Sequence, residues 1–190
     1  RIDFPDQWEI ANGPQQVVAQ APDGDALMLL RGVEQPQGQT IQEIAGNSME
    51  TAGFRATEGA AATISGLDAY LGVYQGQIEG LGAVTMRAAH IRNDDQTYLV
   101  AGIASPDGFR QADGAFLASV RSFRELSEAE AEAIHPDRVD LYIVRTGDTW
   151  QSIAESSGGV VTPATLAIMN QATLATQPQA GARIKIVVSG

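Results

Sequence analysis

Apolar and polar positions alternate with a period of two through the opening of the chain. Ile2-Asp3-Phe4-Pro5-Asp6-Gln7-Trp8-Glu9-Ile10 is such an alternation broken by a proline, which predicts an edge strand. Gln16 to Gln20 and Ala26 to Gly32 flank Pro22-Asp23-Gly24-Asp25, and Asp-Gly between two strand-like runs predicts a hairpin. The period then lengthens. Ile41, Ile44, Ala45, Met49 and Ala52 recur at helical spacing, with Gly53 placed to end the helix.

Residues 54–104 return to strand-like runs: Phe54 to Thr57, Ala60 to Ile64, Tyr70 to Tyr74, Val84 to Arg92 and Thr97 to Ile103. Asn93-Asp94-Asp95 makes the last two a hairpin. In the final run Leu99, Ala101 and Ile103 fall on one face and Tyr98 and Val100 on the other, so this strand is expected at the centre of a sheet covered on both sides. A second helix, about Phe109 to Phe123, carries Phe109, Ala112, Phe116, Val120 and Phe123 on one face and is placed to cover that sheet. The pattern predicts an α+β domain over residues 1–126, an antiparallel sheet with covering helices.

The charge changes along the chain. Residues 1–140 hold 21 acids and 9 arginines, whereas residues 141–190 hold 2 acids and 3 bases, a step that marks a domain boundary near 140. Just before it, Ser127 and Glu130 form a capping box for a short helix that Pro136 ends, which makes 127–140 a helical connector. Its glutamates read as a solvated face. Beyond it, Leu141 to Val144 reads as a strand and Arg145-Thr146-Gly147-Asp148-Thr149 as a turn into a helix, with Asp148 as cap and Gln151 answering it. Trp150, Ile153 and Ala154 share a face, and Gly158-Gly159 ends that helix. A further helix starts at Thr162 with Pro163 in its first turn and sends Leu166 and Met169 inward. Ile184, Ile186 and Val188 alternate in a closing strand that can pair with 141–144, giving a βααβ unit over 141–190 whose own core is marginal.

Composition then narrows the chemistry. With 23 acids against 12 bases the net charge is −11, which repels phosphate backbones and argues against nucleic-acid binding. No apolar run approaches the roughly 20 residues of a transmembrane helix. The absence of cysteine removes disulfides, thiolate nucleophiles and thiolate-ligated zinc, and leaves the redox compartment open. The chain opens on Arg1 with no signal-like segment, which reads as a processed or excised piece of a longer protein.

His90 and His135 are the only imidazoles, without His-Glu-x-x-His or Gly-x-Ser-x-Gly, so neither a zinc peptidase centre nor a serine triad can be assembled here. His90 lies in line with Val84, Met86 and Ala88 and reads as a partly buried structural histidine; His135, beside Pro136, reads as exposed. Asp23 and Asp25 around Gly24 lack the further oxygen ligands of a calcium loop and read as a turn. Glycines 72, 76, 80 and 82 fit neither the phosphate-loop nor the dinucleotide pattern, and are expected at turns and close strand contacts. Nothing selects a catalytic pair of carboxylates. The expectation is a chain that is not itself an enzyme and carries no cofactor or metal.

Tyr142-x-Val144-x-x-Gly147-Asp148-Thr149-Trp150-x-x-Ile153-Ala154, then Leu166-x-x-Met169-Asn170, then Gly181-x-Arg183-Ile184-x-Ile186, resembles the lysin motif (LysM) of cell-wall-binding proteins over residues 141–188. Trp150 stands where that motif commonly has leucine, an extra glycine follows the first helix, and Ala180 replaces a frequent proline. The first region resembles PsbP-like domains in its element order. As a whole, through Phe4-Pro5-x-x-Trp8, Phe116-x-x-x-Val120-x-Ser122-Phe123-Arg124-x-Leu126-Ser127 and Val144 to Thr149, the chain resembles the C-terminal region of bacterial zinc metallopeptidases of the HtpX/BepA type.

That resemblance implies a noncatalytic accessory region of an exported metalloprotease, periplasmic or associated with the cell envelope. The peptidase domain of the same protein would be its partner, with the zinc motif in that domain and none of it here. The LysM resemblance implies an alternative, a module for peptidoglycan or another N-acetylglucosamine polymer. Its groove would be framed by Gly147, Asp148 and Thr149 and by Asn170 and Gln171 after the second helix.

Overall fold

The computed structural model describes residues Arg1–Gly190 and divides them into two units, Arg1–Glu125 and Leu126–Gly190. The first is built from β1 (Glu9–Asn12), β2 (Gln16–Gln20), β3 (Ala26–Val33), α1 (Ile41–Thr51), β4 (Arg55–Ile64), β5 (Leu67–Ile78), β6 (Gly82–Asn93), β7 (Gln96–Ala104) and α2 (Pro106–Arg121). Its seven strands form one sheet in the order β1-β2-β3-β7-β6-β5-β4. Every neighbouring pair is antiparallel, so two meanders meet where β3 pairs with β7.

Strand β7 is central and covered twice, as its two apolar faces predict. Val100 packs with Met28, Ala89 and Ile91 against Phe116, Val120 and Phe123 at the C-terminal part of α2 and just beyond it. Leu99, Ala101 and Ile103 pack on the other face with Tyr74, Met86 and Met49 of α1. The two helices therefore cover opposite faces, because successive strand residues point to opposite sides. Gly102 sits under the Phe116 ring, where a Cβ would collide with ring carbons, so the close approach of α2 to β7 requires glycine. On the α1 face the Tyr74 ring lies over Gly72 in the same way, 2.7 Å from where a Cβ would stand. The Tyr74 hydroxyl is buried without a partner, and burial followed by the neighbouring Tyr70 pushes its pKa up to about 12.

Caps and one ion pair fix the helices. Thr40 caps α1 in a full capping box with Glu43, whose carboxyl is held below its ordinary pKa by the Thr40 backbone N–H and then its hydroxyl. Helix α2 begins at Pro106, three residues earlier than its apolar spacing suggests, because Ser105 caps it and Pro106 occupies the first turn. Arg87 of β6 donates Nε and Nη2 to the two carboxylate oxygens of Asp113 on α2, both at 2.7 Å, and this pairing raises the arginine pKa.

Two strand readings change. Residues 2–8 form no strand: Gln7 adopts φ 66°, and Ile2, Phe4 and Trp8 fold onto the α2-face core instead of pairing. The runs at 54–57 and 60–64 are one strand, β4, with a bulge between Ala56 and Glu58 that absorbs the irregular register.

In the second unit α3 (Glu128–Glu132) precedes β8 (Arg138–Ile143), α4 (Trp150–Ser156), α5 (Pro163–Met169) and β9 (Arg183–Val188). Ser127 and Glu130 make the capping box that their spacing predicts. Strands β8 and β9 pair antiparallel from Arg138 opposite Val188 to Ile143 opposite Arg183. Strand β8 thus starts inside the segment 127–140 read as connector, since β9 supplies ladder partners for Arg138-Val139-Asp140 that their own polarity does not advertise. Val144, Trp150, Ile153, Leu166, Ile184 and Ile186 form the core. No helix of the chain is long and apolar enough to cross a membrane.

His90 is not partly but completely buried on the α1 face, and neither ring nitrogen has a partner. Burial, then the positive charge of Arg31, pushes its pKa down to about 4 from an ordinary 6.5. Between those values the unfolded chain binds a proton that the folded chain refuses, so stability is full above pH 6.5 and falls as pH drops towards 4. The expected loss from this residue between about pH 7 and pH 5 is about 2 kcal/mol. Urea unfolding at the two pH values should show His90→Leu losing less stability than wild type by that amount; equal losses would place the charge-sensitive groups elsewhere.

Candidate functional site

The best-defined candidate lies in the second unit, at the end of the two-stranded sheet where β8 finishes and β9 begins. The backbone joins the two loops there: Val144 N–H donates to the Ala182 carbonyl at 2.9 Å and Gly181 N–H to the Val144 carbonyl at 2.8 Å. Trp150 adds a third tie, its Nε1–H donating to the Thr176 carbonyl at 2.7 Å. Gly147 (φ 91°) and Gly181 (φ 84°) supply the left-handed turns that let the two loops fold back. Loop 145–149 and loop 170–182 are thus held at one end of the sheet.

The side chains there are committed to the fold. One carboxylate oxygen of Asp148 accepts from the Tyr142 hydroxyl at 2.8 Å and from the Arg145 backbone N–H at 2.7 Å. The Arg145 N–H and then the Tyr142 hydroxyl hold the Asp148 carboxyl below its usual range, and the same bond raises the Tyr142 phenol. The helix cap is therefore Thr149, answered by Ser152, and not Asp148 answered by Gln151. Asp148 is diverted because Tyr142, six residues back on β8, offers it a hydroxyl. Asn170 acts as an extra ladder partner for β9: its Oδ1 accepts from Lys185 N–H at 2.8 Å, and its Nδ2 donates to the Lys185 carbonyl at 2.8 Å and the Leu166 carbonyl at 2.9 Å. Gln171 is exposed at φ 58°, turning the chain out of α5, and Gly147 is exposed at the tip of its turn.

Trp150 belongs to the core. It is 3% exposed and packs in the cluster that contains Ile153, Leu166 and Ile184, so its ring is not a platform on the surface. Elsewhere in the chain no three His, Cys, Asp or Glu side chains come together to hold a metal ion. One surface escaped the sequence reading. Val139, Leu141 and Ile143 alternate along β8 and all stand on its outer face, 60%, 55% and 62% exposed. The alternation was visible, but which side of a two-stranded sheet stays uncovered depends on where α4 and α5 pack.

No family model and no curated protein matches the chain. Among solved structures, the chain is similar to cyanobacterial PsbP (CyanoP) from Synechocystis, with 14% identity and a TM-score of 0.52 over 65% of this chain and 84% of that one. A Bacteroides thetaiotaomicron protein aligns at 16% identity and TM-score 0.50 over 94% of this chain, which spans 59% of that structure. A Pseudomonas aeruginosa protein of unknown function, PA94, aligns at 18% identity and TM-score 0.47 over 65% of this chain and 90% of its own. The large antiparallel sheet with its helices has a PsbP-like fold.

Because Trp150 is the largest member of a small core and also pins loop 170–182, Trp150→Ala is expected to cost about 3–5 kcal/mol, more than a unit of this size can lose. In a two-dimensional NMR spectrum, signals of 138–190 should collapse towards random-coil positions while those of 1–125 stay dispersed. A variant whose second unit keeps its dispersion would contradict this placement.

Proposed function

We propose that the chain is a noncatalytic accessory region of an exported zinc-dependent metallopeptidase, a PsbP-like domain followed by a LysM-like one, which packs on the peptidase domain and shapes or localises its activity at the cell envelope. One observation carries this reading: the stripe Val139, Leu141 and Ile143 on the outer face of β8. Full removal of such side chains from water is worth about 1.5–3 kcal/mol each, a strong incentive for a partner to cover them. Register sets Lys185 opposite Leu141 and Arg183 opposite Ile143 on the same face, so two cations rim the apolar stripe. The surface that fits is apolar with an acidic border, and we assign it to the peptidase domain.

The internal commitment of Asp148, Thr149 and Asn170 supports the same choice, since those side chains have few donors or acceptors left for a sugar. The second reading, a binding module for peptidoglycan or another N-acetylglucosamine polymer, is favoured by the joining of loops 145–149 and 170–182 at one end of the sheet. There the exposed Gly147 and Gln171 and the loop backbone would frame the ligand.

Amide hydrogen exchange tests the packing reading. In the natural full-length protein, residues 138–143 should exchange at least tenfold more slowly than in the present chain alone, and Leu141→Glu should abolish the difference. Equal exchange in the two proteins, or a natural sequence with no zinc-peptidase motif upstream, would overturn it.

A further inference from the structure

We propose that the first unit binds a small oxyanion, carboxylate or phosphate, between Arg31 and Arg92 on the α1 face of its sheet. Register places the two arginines: Arg31 on β3 and His90 on β6 both lie opposite Leu99 of β7, and Arg92 lies opposite the adjacent same-face residue Thr97. Two strand spacings across and one residue pair along separate the arginine Cα atoms by about 12 Å, a span that two long side chains can close around one anion.

The electrostatics of these arginines differ from the rest of the unit. Arg87, similarly half-buried, has its carboxylate in Asp113. Arg31 has no ion pair or hydrogen bond through its guanidinium. Arg92 donates Nη2 to the Gln39 carbonyl at 2.7 Å and leaves its buried Nε without a partner. Beside them the fully buried His90 has two unpartnered ring nitrogens. A half-buried guanidinium with no anion is unfavourable unless something supplies one, and the planar fork of arginine suits the oxygens of carboxylate or phosphate.

Each arginine opens on a cleft, and the two clefts adjoin. Arg31 opens on a cleft of about 390 Å³ with Asn47 and Ser48 of α1, whose side chains offer an amide and a hydroxyl, and Arg92 opens on a neighbouring cleft that shares Pro36 and Gln39 with the first. The loop between them is fixed in advance: Gln35 Nε2 donates to the Asp94 carbonyl at 3.1 Å, and its Oε1 accepts from Thr97 Oγ1 at 2.7 Å. Two carboxylates border the clefts, Glu34 beside Arg31 and Asp95 beside Arg92, and neither is ion-paired to them. They would disfavour diffuse anion accumulation, so the site selects a ligand small enough to seat between the guanidinium groups.

The test uses the whole chain with sodium phosphate and sodium succinate as probes, at ionic strength held constant with chloride. The readouts are the thermal unfolding midpoint and the NMR signals of Arg31, His90 and Arg92. At least one probe should raise the midpoint saturably and shift these signals; succinate alone acting identifies a carboxylate ligand, phosphate alone a phosphate ligand, and both the shared oxyanion. Arg31→Gln should weaken binding at least tenfold with the midpoint in chloride no lower than that of wild type. Arg92→Gln, which also releases the Gln39 carbonyl, should weaken it at some cost in stability. Arg110→Gln on exposed α2 should bind as wild type does. No saturable response to either probe, or wild-type affinity in Arg31→Gln, would overturn the proposal.

Discussion

Strand β7 has no side that faces water, and the first unit is arranged to satisfy that constraint. Its ladder needs β3 on one edge and β6 on the other, and its two apolar faces need a helix each. The meander β1-β2-β3 and the meander β4 to β7 therefore have to meet at β7, with α1 inserted between them in sequence and α2 after them. Gly102 is where the constraint is tightest, because the Phe116 ring occupies the space of a side chain. Burial of His90 follows from the same arrangement, since β6 beside a doubly covered strand is itself largely withdrawn from solvent.

The second unit solves a different problem. With so small a core it cannot leave polar groups at its loop end unpaired, and each unmade buried hydrogen bond would cost about 1–3 kcal/mol. Asp148 closes the first turn against Tyr142 and Arg145, Asn170 extends the β9 ladder at Lys185, and Trp150 combines the largest apolar side chain of the core with a tie to Thr176. Those commitments tie both loops to the strands and helices of the unit. On the outer face of β8, by contrast, Val139, Leu141 and Ile143 stay exposed.

Local signals were legible in the sequence and long-range ones were not. The capping box at Ser127 and Glu130, the helix start at Thr162-Pro163 and the two apolar faces of β7 all depend on neighbours within a few residues, and the fold uses each of them. The cap assigned to Asp148 failed because Tyr142 competes for the carboxylate across a turn. Strand β8 extends to Arg138 because Val188 lies 50 residues away in sequence and beside it in space. The segment Ile2 to Trp8 alternates like a strand, yet its apolar residues gain more by folding onto the core below α2. At the candidate site the turn at 147–149 and the end of the helix at Asn170 were legible, but the partner that turns Asn170 into a structural residue, Lys185, has no local signature. Arg31, His90 and Arg92 are brought to one face only by the register of three strands.

In the second unit the polar loop groups serve the unit's own architecture, while the apolar stripe on the outer face of β8 stays exposed. Titration of the isotopically labelled chain with chitin oligomers and soluble peptidoglycan fragments is the most direct measurement of that division of roles. If the loops are structural, the amide signals of residues 145–149 and 170–182 stay in place at millimolar ligand. Saturable shifts confined to those two loops would contradict it and make glycan binding the function of the second unit.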